Sequence, residues 1–338
     1  MQDIRLFNHT EPLQVTFSAY PDIMSPCIHD DPHVDSERAH NDTSPACLPI
    51  ELQLDIIEQR ILDGPDAAHQ ISQVCQLFRH IALPFFVRTL SPVEQARQLV
   101  SLPEHLLPYV QNVWMEDGRK SAYPLLSTSW IWESVPNLAI RTSSLYARMR
   151  LDPMRPILCT KLTLLPSDEN HYRGLQIAIS HCFLTQPFYL TNLTHLQWCA
   201  TRHTPALPRL LLAAPCLTHV ALPFRPSLPY ATHIVLRSAL VLVPKKQLMV
   251  VIVLELSLLM ARGLGGLIAE VENCRKLDER LYLAPGAVEC DHMRKEWEQL
   301  IDGGEDVWQR AARLRKAVLA GDVEQLRREY PFSQENTA

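Results

Sequence analysis

The sequence predicts an α/β fold in which a short N-terminal helical module is followed by an irregular α/β solenoid with C-terminal capping helices. Two observations support this prediction. Residues 47–90 place apolar side chains three and four positions apart, which is the period of an amphipathic helix. After them, short apolar strand candidates recur every 24 to 33 residues, with helix-like stretches between them.

The first helix is expected to begin near Pro49, because proline suits the first turn of a helix, where its missing N–H costs nothing. Leu52 and Ile56 are four residues apart, and so are Ile57 and Ile61. This spacing gives apolar side chains at helical intervals in a segment that is otherwise charged. The segment is therefore predicted to be an amphipathic helix.

A second helical segment follows Gly64–Pro65, a pair that predicts the end of the first helix. Asp66 is a suitable cap for the second segment, and Pro84 is expected to stop or kink it. The apolar positions between them are Ile71, Val74, Cys75, Phe78, Ile81 and Ala82. Two or three helices in about forty residues cannot bury their own apolar faces, so a partner or the rest of the chain must cover them.

This helical module resembles an F-box. The matching features are Leu48-Pro49, Glu51-Leu52, the aliphatic pair Ile56-Ile57, Val74-Cys75 followed by Phe78, and Ile81 to Pro84. The resemblance implies docking on a Skp-type adaptor, which links a substrate-binding region to a cullin-based ubiquitin ligase. The adaptor-binding residues that it implies are Leu48, Pro49, Leu52, Ile56, Ile57, Val74, Cys75 and Phe78. The alternative is an ordinary helical hairpin within a helical protein.

The strand candidates begin at a spaced series of aliphatic residues, which are Val110, Leu138, Leu162, Leu193, Leu217, Leu248 and Leu281. Two of them open the same tripeptide, Leu-Thr-His, at a separation of 24 residues. Helix-like stretches lie between candidates, for example at residues 207–212 and 267–277. Such an array buries each unit only against its neighbours and needs an end cap, which the helices after Gly303-Gly304 are expected to supply.

One strand and one helix per unit resembles an irregular leucine-rich-repeat solenoid, although no ladder of asparagine or cysteine is evident. An F-box followed by such repeats resembles F-box-like proteins that are abundant in mushroom-forming fungi. Their usual ending is similar to 248–253, 267–274, Asp278 to Leu281 and Gly303 to Trp308 here. The alternative is a non-repetitive α/β domain in which the Leu-Thr-His pair is a coincidence.

Four segments are predicted: a polar, proline-rich arm (1–46), the F-box-like module (47–90), the repeat-like domain (91–300) and C-terminal helices with a tail (301–338). The arm contains His29, Asp30, Asp31, His33, Asp35 and His40. These side chains are potential metal ligands, but their spacing matches no metal site, and a disordered tail is favoured.

Composition limits the classes of function. A formal net charge of −5 argues against a nucleic-acid surface. The most apolar stretch, residues 248–261, is too short to span a bilayer and includes Glu255. Nine scattered cysteines without a C-x-x-C pair favour reduced thiols in the cytoplasm or nucleus.

No motif predicts an enzyme or a cofactor. Residues 263–268 approach a dinucleotide fingerprint, but Ile268 stands where the third glycine belongs, so a tight left-handed turn is favoured. No G-x-S-x-G surrounds any serine, and His181 beside Cys182 would point to opposite sides of a strand.

The expected function is therefore a non-catalytic substrate-recognition subunit of a Skp-cullin-F-box ligase, with an unidentified protein target on the repeat domain. His195, Gln197 and His219 are candidate residues for the target-binding face, although solvated side chains are the commoner explanation. The alternative function is a stand-alone scaffold whose helical module caps the repeats. Ile57→Glu distinguishes two positions for this residue. If it lies at an interface, the change should abolish adaptor binding, and if it is internal, the change should unfold the chain.

Overall fold

A parallel sheet of eight strands forms the centre of the fold, and each strand pairs with its neighbours in chain order. The computed structural model describes residues 48–63, 65–90, 102–116, 129–152, 155–166, 190–199, 206–224, 240–241, 248–287, 290–301 and 303–330. The potential ligands between His29 and His40 lie outside these residues, as does the His181–Cys182 pair. Residues from Pro49 onward belong to one compact unit.

The strands are β1 (Thr89–Leu90), β2 (Asn112–Met115), β3 (Asn137–Arg141), β4 (Lys161–Leu165), β5 (His195–Trp198), β6 (His219–Pro223), β7 (Met249–Leu254) and β8 (Leu281–Pro285). All seven neighbouring pairs are parallel. Each of the seven predicted strand candidates begins within two residues of an observed strand. The prediction of an α/β fold and of these seven strands is confirmed, whereas β1 was not predicted.

The two faces of the sheet differ in character because successive side chains of a strand point to opposite sides. The core face packs into the main hydrophobic core through Val113, Leu138, Leu162, Leu196, Val220, Val250 and Leu281. The opposite face has a mainly polar first row in register across six strands, formed by Asn112, Asn137, Lys161, His195, His219 and Met249. These polar side chains point away from the main core, and wherever they are buried they need hydrogen-bond partners.

The helices before the C-terminal segment are α1 (Ile50–Leu62), α2 (Pro65–Ser72), α3 (Gln76–Val87), α4 (Ser129–Ser134), α5 (Thr142–Leu151), α6 (Ala206–Ala213), α7 (Leu256–Ala261) and α8 (Gly263–Leu277), with a 3₁₀ helix at Glu104–Tyr109. Gly263 opens α8 at φ 68°, so the left-handed turn predicted there is confirmed. In α8, Leu267, Val271 and Cys274 are buried on one side, as their spacing predicts.

The helical module contains three helices, the larger of the two numbers that the sequence left open. Residues between Ser72 and Gln76 leave the helix, so the segment after Gly64–Pro65 divides into α2 and α3. Asp66 does not stand before a helix, because α2 already begins at Pro65. Pro84 does not end its helix either, since α3 continues to Val87.

The C-terminal segment contains α9 (Cys290–Ile301), α10 (Val307–Ala320) and α11 (Val323–Glu329). Asp306 caps α10 through a reciprocal capping box with Gln309, and Gly321 ends it in the left-handed conformation. The side chain of Asp322 accepts the N–H of Gln325, as the predicted last helix requires. Helices α9 and α10 also place buried side chains over the opposite face of the sheet, whereas Leu326 of α11 belongs to the main core.

Helix α10 also covers the free edge of the sheet. Leu314 and Ala317 join the main core, and the guanidinium of Arg315 donates to the backbone carbonyls of Glu279 at 2.6 Å and Leu281 at 3.5 Å. An unpaired strand edge promotes aggregation unless it is covered. Helix α10 therefore covers the outer edge of β8. In the described part of the chain, no helix is both long and apolar enough to cross a membrane.

Candidate partner-binding sites

Helix α1 has apolar side chains on two different sides. Ile57 and Ile61 point inward and form the core of the helical module with Ala68 and Ala82. Leu52 and Ile56, which lie one helical turn apart, remain 48% and 57% exposed. The four aliphatic residues that the sequence places in one pattern thus form an internal pair and an external pair.

A second pair of exposed aliphatic side chains lies at the break between α2 and α3. Val74 is 65% exposed and Leu77 is 52% exposed. Leu77 was not among the predicted adaptor-binding residues, although its place beside Phe78 in the same motif is a signal that the sequence offers. We call Leu52, Ile56, Val74 and Leu77 the outward aliphatic residues of the module.

Most predicted adaptor-binding residues are on the surface. Leu48, Pro49 and Cys75 are exposed, as are Leu52, Ile56 and Val74. Phe78 is partly buried against the module core. Ile57 is the exception, because its side chain is only 8% exposed and packs inside the module. The structure therefore places the Ile57 side chain inside the module, whereas the resemblance implies a side chain on the adaptor-binding surface.

Cys75 has a local structural role that explains the Val-Cys-x-x-Phe spacing. It is the N-cap of α3, with extended backbone at φ −159° and ψ 172°, and its Sγ accepts the N–H of Phe78 at 3.5 Å. This bond satisfies one of the unpaired amides at the start of the helix. The cap positions Val74 just outside α3, where its side chain is exposed.

The Leu-Thr-His repeat builds a second candidate site on the opposite face of the sheet. The imidazole rings of His195 and His219 stack with centroids 4.2 Å apart and planes 7° from parallel. The indole of Trp308, in α10, meets both rings edge-on at 4.8 and 5.9 Å. Gln197 follows on β5 and is partly buried. These candidate target-binding residues are therefore covered by the chain's own C-terminal segment.

The threonines of the repeat form a hydrogen-bonded ladder at the entrance to the strands. The hydroxyl of Thr194 donates to the Thr160 carbonyl at 3.0 Å, and that of Thr218 donates to the Thr194 carbonyl at 3.1 Å. Each also lies 2.8 Å from Nδ1 of the histidine that follows it. A short asparagine ladder continues on the opposite face, where the side-chain amide N–H of Asn137 donates to Oδ1 of Asn112 at 3.0 Å. The sequence did not reveal either ladder.

Burial is the main reason why the pKa of His195 falls to about 4, and the nearby charges of His219 and Lys161 lower it further. Burial also lowers the pKa of His219. The carboxylate of Asp306 opposes both shifts and lies 3.8 Å from the Lys161 ammonium. The stacked pair is consequently neutral at pH 7, and two charged rings in this stack would repel each other.

We expect stability to fall as the pH is lowered from about 6.5 to 4, because the unfolded chain then binds more protons at His195 and His219 than the folded chain does. The stabilising contribution of the neutral pair is fully present above pH 6.5. Urea unfolding of wild type and of a His195→Gln, His219→Gln variant over this range measures the difference. His105→Gln, at an exposed position, is the control. Equal pH dependence in wild type and the double variant would contradict the expectation.

Helices α9 and α10 cover different parts of the opposite face. Met293 and Trp297 of α9 form a buried cluster with Trp114, Ala139, Leu165 and Cys199 from the β2–β5 region. Val307, Trp308 and Ala311 of α10 form another with Ala221, Val251, Val253 and Ala284 from β6–β8. Between the helices and the sheet, a cavity of about 30 Å³ is lined by polar residues including Lys161, Thr163 and Gln197. It has room for about two water molecules.

Among the residues that the structure describes, no group of three or more histidine, cysteine, aspartate or glutamate side chains is arranged to hold a metal ion. Comparisons with protein-family models, curated proteins and solved structures found no significant match.

Proposed function

We propose that the chain is a non-catalytic substrate-recognition subunit of a Skp-cullin-F-box ubiquitin ligase. In this proposal the helical module binds the Skp-type adaptor, and the domain built on the parallel sheet binds a protein target. The protein would act in the cytoplasm or nucleus, where its nine scattered cysteines would stay reduced. It would hold the target near a charged ubiquitin carrier and raise the effective concentration at an acceptor lysine.

The exposed outward aliphatic residues are the observation that supports this proposal most. Leu52 and Ile56 turn away from a module core that is already filled by Ile57 and Ile61. Burying a leucine or isoleucine completely is worth about 1.5–3 kcal/mol, so burying half of each is worth roughly 1 kcal/mol. Together with Val74 and Leu77, these side chains offer a partner several kcal/mol of hydrophobic stabilisation.

The sheet supports the repeat-like half of the proposal. Strands in unbroken sequential order, joined by the threonine ladder at Thr160, Thr194 and Thr218, are typical of an array in which each unit buries its apolar side chains against its neighbours. We infer an irregular leucine-rich-repeat-like solenoid from this arrangement. Repeat arrays of this kind supply extended binding surfaces.

A stand-alone binding scaffold is the second candidate, and one observation favours it. Helix α3 runs directly into β1, and Val87 and Leu90 belong to the main core. The module is thus continuous with the first strand, which it would cap in a protein that never enters a ligase.

Titration of the full-length chain with a purified Skp-type adaptor tests the proposed function. We expect a one-to-one complex, because the outward aliphatic residues are about half exposed in the described fold and are free to be buried by the adaptor. A well-folded chain that does not bind the adaptor would favour the stand-alone scaffold.

A further inference from the structure

We propose that α9 is an opening cover on the opposite face of the sheet, and that the surface beneath it receives an amphipathic helix of a target protein. In the closed protein, α9 itself occupies the surface that the helix of the target would bind. The identification of the incoming helix as part of a ligase target rests on the proposed function. The opening of α9 does not depend on it.

In the described part of the chain, α9 packs on one cluster of the opposite face, whereas α10 also reaches the main core. Met293 and Trp297, one turn apart, are its buried side chains in the cluster over β2–β5, with Ile301 packed partly against it. This cluster is separate from the main hydrophobic core. Helix α10, in contrast, packs on the opposite face through Trp308 and reaches the main core through Leu314. Release of α9 therefore leaves the main core and α10 in place.

Glycines flank α9 at both ends. Gly286 follows β8, and an added Cβ there would lie 2.7 Å from Val253 Cγ1. Gly303 has a φ of 89°, and the N–H of Gly304 donates to the Gln299 carbonyl at 2.9 Å to end the helix. A left-handed glycine absorbs a change of chain direction that other residues resist. Gly303 is therefore suited to be a hinge of the cover, whereas Gly286 is held against β7, where its N–H donates to the Leu254 carbonyl at 2.9 Å.

The closed arrangement leaves hydrogen-bonding groups unsatisfied. The indole rings of Trp114 and Trp297 lie 5.3 Å apart, and within the described residues the Nε1 donor of each is buried without an acceptor. A buried donor without an acceptor destabilises the contact that buries it. A partner that provides an acceptor for the Trp114 indole would therefore make a hydrogen bond that α9 does not make.

The chemistry of the partner follows from that of α9. The surface accepts two large apolar side chains at helical positions i and i+4, as Met293 and Trp297 are. Glu296, on the same helix, accepts hydrogen bonds from the Ala287 N–H at 2.9 Å and from Arg310 at 3.1 Å. The matching partner is thus an amphipathic helix with a large apolar pair and a carboxylate placed to reach Arg310.

Cysteine reactivity in the native full-length protein measures the opening. Cys199 is buried beneath α9, whereas Cys159 and Cys274 are buried in the main core. Burial raises the pKa of the Cys159 thiol to about 12 and that of Cys274 to about 11, which lowers the fraction of reactive thiolate at both residues. We expect iodoacetamide to modify Cys199 well before Cys159 and Cys274, with little dependence on urea, when each residue is followed by mass spectrometry.

Trp297→Ala should raise the rate of Cys199 modification by on the order of tenfold or more, with Cys159 and Cys274 unchanged. If that variant unfolds, all three rates rise, and Met293→Ala then replaces it as the milder change. Equal rates and equal urea dependence for Cys199 and Cys159 in the wild type would overturn the proposal, because α9 would then open only when the whole fold does.

A peptide with the sequence of residues 290–301 tests the partner class. We expect the fluorescently labelled peptide to bind the Trp297→Ala chain and to bind wild type at least about tenfold more weakly, because α9 already occupies the surface in wild type. A peptide that carries the Trp297→Ala change is the control and should bind neither chain. Equal binding of the unmodified peptide to both chains, or binding to neither, would overturn the assignment of this surface to an amphipathic helix. Both measurements omit the adaptor, so their failure is distinguishable from failure of the proposed function.

Discussion

Ile57→Glu is expected to unfold the helical module, whereas Ile56→Glu, one residue earlier, should leave it folded. The Ile57 side chain packs against Ile61, Ala68 and Ala82, so a glutamate there replaces buried apolar contacts with a carboxylate that loses its hydration. We expect a loss of roughly 4 kcal/mol or more, as for other charges introduced into a core. The Ile56 side chain is 57% exposed, and its replacement should change stability by about 0.5 kcal/mol.

Urea unfolding followed by circular dichroism measures both variants against wild type. Limited proteolysis shows which part of the Ile57→Glu chain becomes accessible, and cleavage is expected within residues 50–87. A stable Ile57→Glu chain with protected α1–α3 would contradict the internal position of Ile57. Strong destabilisation by Ile56→Glu would contradict the external position of Ile56.

Trp308→Ala is expected to lower the free energy of unfolding by about 3–5 kcal/mol, the range for a buried tryptophan replaced by alanine. The indole is buried against the opposite face and is the edge-on neighbour of both stacked histidines. Its removal would leave a large cavity between α10 and the sheet. Lys316→Ala, at an exposed position on the same helix, is the control and should have little effect.

The Trp308→Ala variant should also respond less to acid. With the indole gone, water reaches His195 and His219, and the burial that lowers their pKa values is reduced. The loss of stability between pH 6.5 and 4 should therefore be smaller than in wild type. If Trp308→Ala lowered the free energy of unfolding by less than about 1 kcal/mol at neutral pH, α10 would not depend on this indole for its attachment to the sheet.

The strands could be predicted because each has a short aliphatic run at a position repeated along the chain. Leu138 and Leu162 lie directly in register on neighbouring strands, as their equivalent places in the pattern require. The Leu-Thr-His repeat was a true structural signal, since its leucine is buried, its threonine forms the ladder and its histidine stacks on its counterpart. Repetition along the chain therefore identified most of the sheet.

Which aliphatic residues of α1 are buried and which are exposed could not be predicted in the same way. Leu52 and Ile56 have the same spacing as Ile57 and Ile61, and periodicity alone does not say which pair meets α2 and α3. The cap formed by Cys75 was also missed, because cysteine is a weak hydrogen-bond acceptor and is not a usual N-cap residue. Because the cap was missed, the start of a separate helix α3 after Cys75 was missed as well.

The position of α9 was missed because it depends on contacts between distant parts of the chain. Trp297 of α9 contacts Trp114 of β2 on the opposite face of the sheet, and nothing in the local pattern around either residue indicates the other. The amphipathic pattern of α9 requires a surface to cover its apolar side, but it does not identify that surface. Only the fold places α9 over Trp114 and Cys199, beside α10, whose Trp308 contacts the predicted target-binding residues His195 and His219.

The central claim is that the outward aliphatic residues of the module bind a Skp-type adaptor. Calorimetric titration of the full-length chain tests it most directly, with Ile56→Glu as the interface variant and Leu212→Glu as the control, since Leu212 is an exposed aliphatic residue on α6. We predict one-to-one binding by wild type and Leu212→Glu, and loss of binding by a folded Ile56→Glu chain. Unchanged affinity in Ile56→Glu, or no binding by folded wild type, would contradict the account.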